Sequence, residues 1–85
     1  MGELAIGAAS AMIPLLKDEI VDVRGKTAWA LGRLGDDSAV EPLISALLDK
    51  DAGVRSAAAS SLNQLTGEKF GDDHAKWREW FEGHR

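Results

Sequence analysis

The chain has 85 residues, Lys+Arg 10 against Asp+Glu 14 for a formal net charge of −4, and no cysteine. That length makes one domain near the lower limit at which a hydrophobic core holds a fold unaided, and without cysteine neither a disulfide nor a thiolate metal site can staple it. An acidic chain is poorly suited to neutralising phosphates, so no nucleic acid is expected as a partner.

Alanine and leucine dominate the apolar residues and tyrosine is absent, which favours helix. Residues 3–18 are expected to be helical, bent or broken near Pro14. The run from Leu4 to Leu16 is uncharged. It is shorter than the roughly 20 residues that span a bilayer. It follows Glu3 rather than a basic stretch, and Ile6 stands where a myristoylation signal carries Ser or Thr. No membrane association is expected, and the expected location is cytoplasmic. Ile20 and Val21 then fall in a turn, where two apolar side chains imply a cover.

A helix follows with Val23, Thr27, Leu31 and Leu34 inward and Gly35 at its end. Ser38 and Glu41 have the spacing of a capping box, with Pro42 in the first turn of a short helix. Val40, Leu43, Ile44, Leu47 and Leu48 form its apolar stripe. Residues 49–53 are a polar turn in which Asp51 caps the next helix, whose inward residues are Val54, Ala58, Ala57 or Ser61, Leu62 and Leu65, with Gly67 closing it. Gly71, Asp72 and Asp73 open a last helix on which Trp77, Trp80 and Phe81 cluster.

Two of these segments say the same thing. Val23-Arg24 and Val54-Arg55 begin matching strings, VRGKTAWALGRLG and VRSAAASSLNQLTG, and Ser10 to Leu16 mirrors Ser38 to Ile44. Met1 to Leu4 echoes Leu31 to Leu34, as though the chain began with the end of an earlier helix. A helical repeat of this period marks a solenoid, in which each unit buries its apolar face against its neighbours.

VRGKTAWALGRLGDDSAVEPL and SALLDKDAGVRSAAASSL resemble HEAT repeats, of the short bacterial and archaeal kind similar to the repeats of phycobilin lyase subunits. LTGEKFGDDHAKWREWF resembles a segment that closes such arrays. The resemblance implies an all-α fold: a short right-handed α-solenoid of two HEAT-like helix pairs, residues 3–35 (shortened) and 36–67, with a C-terminal capping segment at 68–85. It implies little about function, because unrelated sites are built on this scaffold.

Arg24 and Arg55 are expected to tie adjacent turns, through carbonyls or acidic side chains such as Asp18, Asp22, Asp49 or Asp51. His74 and His84 lack metal-ligand spacing, and no nucleophile motif or phosphate-cradling loop occurs, so no metal, cofactor or catalytic residue is expected and the chain is not expected to be an enzyme. Phe70, Trp77, Trp80 and Phe81 are expected to cover the end of the array. Trp29 has two readings, packed across a neighbouring helix or standing with Lys26 and Arg33 on the face that such arrays turn to a partner. The expected function is a non-enzymatic protein-interaction or scaffolding module, with Lys26, Trp29, Arg33, Ser56, Ser60, Asn63 and Gln64 contacting another protein. The alternatives are an accessory subunit of a lyase-type enzyme or chromophore-protein chaperone, or a fragment of a longer array. Self-association, or docking onto a larger protein, is expected through an N-terminal patch of Ala5, Met12, Ile20 and Val21.

Overall fold

The computed structural model describes residues 8–84. Among them every regular element is helical. Residues 8–12, α1, run directly into a 3-10 helix at Ile13–Lys17. The break comes where expected, because Pro14 has no N–H to continue an α-helical ladder. α2 covers Val21–Leu34, α3 Val40–Ala46, α4 Ala52–Thr66 and α5 His74–His84.

The caps explain where most of these helices stop and start. Gly35 and Gly67 follow α2 and α4 at φ 72° and 83°, the left-handed conformation that glycine adopts without a Cβ penalty. Asp51 caps α4 by accepting the Val54 N–H at 3.0 Å, and Asp73 accepts from the Lys76 N–H at 3.0 Å at the start of α5. The Ser38 and Glu41 box does not form. A 3-10 turn at Asp37–Ala39 precedes α3, so Ser38 lies inside the turn, and Asp36 is the residue that accepts the Ser38 N–H at 2.9 Å. That bond is the main reason the Asp36 carboxyl sits below its usual value, with the Ser38 side chain adding to it. Glu41 turns outward instead, its carboxylate 3.5 Å from the Arg78 guanidinium on α5.

The helices form two layers. α2 and α4 pack along each other in one; the 3-10 helix, α3 and α5 make the other, with α3 touching its neighbours on both sides. α2 and α4 run parallel. A Cβ built on Gly25 would lie 3.9 Å from Val54, and one on Gly32 would fall 2.7 Å from the Ser61 Cα, so seven residues along one helix match seven along the other. At Gly32 the backbones come so close that no side chain fits, and Ser61 donates its hydroxyl to the Ala28 carbonyl across the contact.

Leu31, Leu43, Ile44, Leu62 and Trp77 are fully buried between the layers, with Leu16, Val40 and Leu47 nearly so. Burying each large apolar side chain contributes about 1.5–3 kcal/mol. Leu48, expected on the α3 stripe, is instead 67% exposed, because α3 ends at Ala46 and the chain leaves the helical register there. Trp77 is the centre of the C-terminal aromatic cluster. Its indole N–H donates to the Gly71 carbonyl at 2.8 Å, and Phe70 and Trp80 meet its ring edge-to-face at 4.9 and 6.0 Å.

Candidate functional site

The two repeat arginines come first, because they fix how α2 and α4 are presented. Arg24 is buried, and its Nε donates to the Asp49 carboxylate at 2.8 Å while Nη1 donates to the Asp18 carbonyl at 2.8 Å. The guanidinium thus closes the turn before its own helix and reaches into the turn of the next pair. Arg55 repeats the first contact only, donating to the Asp49 carbonyl at 2.7 Å. Burial alone would raise the Asp49 carboxyl, but the Asp51 N–H and the Arg24 guanidinium outweigh it and hold Asp49 below its ordinary value. These arginines are therefore occupied within the fold, as the spacing predicts.

With the arginines turned inward to the turns, the outer surface of α2 is left to Lys26, Trp29 and Arg33, all exposed. They lie at i, i+3 and i+7, on one stripe of the helix. Trp29 is 56% exposed, so of its two readings the packed one does not hold. Its backbone carbonyl, not its ring, faces Ser61. The Arg33 guanidinium stacks over the indole at 4.9 Å from the ring centroid. A shallow groove between α2 and α4, lined by Val21, Asp22, Gly25, Lys26, Asp51, Gly53, Val54 and Ala57, runs beside this stripe.

The second repeat contributes differently. Ser60 and Gln64 are exposed and occupy on α4 the positions that Trp29 and Arg33 occupy on α2, so the parallel packing turns all four to one face. Ser56 and Asn63 correspond instead to Gly25 and Gly32, the residues by which α2 meets α4. On α4 those positions look away from α2, and the Asn63 amide is engaged, donating to the Glu68 carbonyl at 2.9 Å. Lys26, Trp29, Arg33, Ser60 and Gln64 thus form one surface, and Ser56 and Asn63 stand beside it.

The charge distribution on this surface was hidden by the composition. With Arg24 buried against Asp49 and Arg55 tied to the Asp49 carbonyl, the exposed charges of α2 and α4 are Lys26 and Arg33 against one carboxylate, Asp22, in a chain of net charge −4. Among the described residues neither Lys26 nor Arg33 has a carboxylate within ion-pair distance. Counting charge along each helix separately would have exposed the asymmetry in the sequence.

At the N-terminal side, Ile20 is 61% and Val21 40% exposed, Met12 packs partly against the core, and Ala5 lies outside the described residues. Among the described residues no group of three or more His, Asp or Glu side chains is placed to hold a metal ion, and no helix is long and apolar enough to cross a membrane.

A family model described as HEAT repeats matches residues 9–75. The phycocyanobilin lyase subunit alpha of Picosynechococcus sp. is 42% identical over an alignment of 65 residues, and the match covers 68% of this chain and 24% of that protein. The chain therefore spans about a quarter of the length of the curated relative it matches.

Proposed function

This chain belongs to the HEAT-repeat family, and we propose on that premise that it is a non-enzymatic protein-interaction module that binds another protein on the face shared by α2 and α4. The observation that carries the reading is Trp29. A large aromatic ring 56% exposed, on the helix whose other side makes the core, has no structural task that explains it. Lys26, Arg33, Ser60 and Gln64 surround it with groups able to fix a partner's orientation, and Ser56 and Asn63 extend the surface at its edge.

Trp29→Ala is expected to weaken partner binding by about 2 kcal/mol or more, with a much smaller effect on melting temperature than truncating the buried Trp77, since Trp29 is 56% exposed. Affinity purification from the native cell with the wild-type chain and this variant, followed by calorimetry on any protein whose capture differs, measures both. A partner held equally by the two chains would place the site elsewhere.

The likeness to a lyase subunit supports a second reading, in which the chain is an accessory subunit of a lyase-type enzyme or a chaperone of a chromophore-bearing protein, or a piece of a longer array. On that reading the captured partner is a catalytic chain or a tetrapyrrole-bearing protein, and absorbance of the eluate in the visible range distinguishes it. Self-association through Ile20 and Val21 belongs to the same proposal, as these two adjacent apolar side chains stand uncovered.

A further inference from the structure

We infer that the partner segment received at Trp29 is acidic, with two carboxylates about 10 Å apart on either side of an apolar side chain; the inference rests on the α2–α4 face being the docking surface. Three independent observations lead there. Lys26 and Arg33 are exposed and lack carboxylate partners among the described residues, although the chain as a whole has more carboxylates than cations. The ion pairs shown use other cations: Asp49 takes Arg24, and Glu41 and Glu82 take Arg78. The stripe around Trp29 thus presents two cations without carboxylate partners among the described residues of an acidic molecule, and such a pair recruits its opposite.

The second observation is the stacking of Arg33 on Trp29. A guanidinium lying over an indole keeps its N–H edge free, and that edge matches a carboxylate in a two-bond fork. The stack also holds the guanidinium in place before the ligand arrives, which lowers the ordering cost of binding.

Third, the spacing sets a ruler. Lys26 and Arg33 are seven residues apart on one stripe, about 10 Å along the helix axis. A short peptide in the polyproline II conformation advances about 3.1 Å per residue with three residues per turn, so acidic side chains three positions apart point to one side about 9 Å apart and meet both cations, with the residues between them beside the exposed indole. Phosphate groups of a nucleic acid would also be attracted to the cations. The carboxylates of Asp22 and Asp51 beside the stripe, however, oppose a long polyanion more than a short peptide that reaches only the two cations.

The test uses the full chain and three synthetic probes: a peptide in which two glutamates three positions apart bracket leucine and phenylalanine, the same peptide with glutamine for both glutamates, and a short oligothymidylate. Resonances of the Trp29 indole N–H and the α2 amides report where each binds. The glutamate peptide is expected to perturb Lys26, Trp29 and Arg33, and to bind at least about tenfold more tightly than the glutamine peptide, a factor corresponding to one charge-assisted hydrogen bond. Lys26→Glu and Arg33→Glu are each expected to lose a similar factor while keeping the folded spectrum, because both side chains are exposed. Equal binding of the glutamine peptide at these residues would overturn acidic recognition and leave the docking face standing. Tighter binding of the oligothymidylate there would overturn it in favour of phosphate. Perturbations confined to another surface would defeat both the inference and the proposal it rests on.

Discussion

Asp49 serves two arginines at once, one through its carboxylate and one through its carbonyl, and so joins the first helix pair to the second. Its side chain and that of Arg24 are only about 10% exposed, so the pair is not screened as a surface bridge would be. Asp49→Asn would leave Arg24 buried without its counter-charge and is expected to cost about 3 kcal/mol at neutral pH. The pH dependence follows from the direction of the shift. The Asp49 carboxyl titrates lower in the folded chain than its ordinary value of 3.8, so its contribution is fully present above that value and is lost as pH falls through the lower folded one. Urea unfolding of wild type and variant at neutral pH and again in acid should therefore show the gap narrowing. A constant gap would mean that the substitution removes packing rather than charge. At this scale the sequence was legible where a residue's partner is a nearby turn: the arginine ties followed from their place at each helix start. It was not legible for Trp29, because helix periodicity says which side of α2 a ring occupies but not whether a neighbouring element covers that side.

The α5 helix carries the largest buried side chain among the described residues. It packs on α3 and supplies Trp77, which is fully buried with its N–H satisfied by Gly71. Truncating a buried aromatic costs about 3–5 kcal/mol, which is comparable with the whole stability of about 5 kcal/mol expected of a small domain. Trp77→Ala, or removal of residues 68–85, is accordingly expected to abolish cooperative thermal unfolding monitored by circular dichroism. A truncated chain that melts near the full-length temperature would make α5 an independent docking element. The aromatic spacing announced this helix plainly. The start of α3 was harder: Ser38 and Glu41 satisfy a capping pattern, yet Asp36 reaches the Ser38 N–H first and tightens the entry into a 3-10 turn. Neighbouring acceptors compete for the same donors, and a pattern of letters does not say which backbone path wins.

For the molecule as a whole, the repeat made the two helix pairs and their caps visible, since both depend on spacing within about thirty residues. The exposed face that brings Ser60 and Gln64 beside Trp29 and Arg33 depends on which helices lie side by side, and emerges only once they are packed. The uncovered Ile20 and Val21 carry a prediction at this scale. Sedimentation is expected to show weak, concentration-dependent association that Ile20→Ser and Val21→Ser suppress, and a clean monomer at high concentration would remove that surface from the proposal. The close contact of α2 with α4 has a further consequence. Gly32 lets α4 approach because a Cβ there would collide with the Ser61 backbone, and the position that corresponds to it on α4 is Asn63. A third helix laid on α4 in the same way would strike that side chain. Anyone lengthening this solenoid by copying its second unit would therefore stack repeats that do not fit, and the first edit such a design requires is Asn63→Gly.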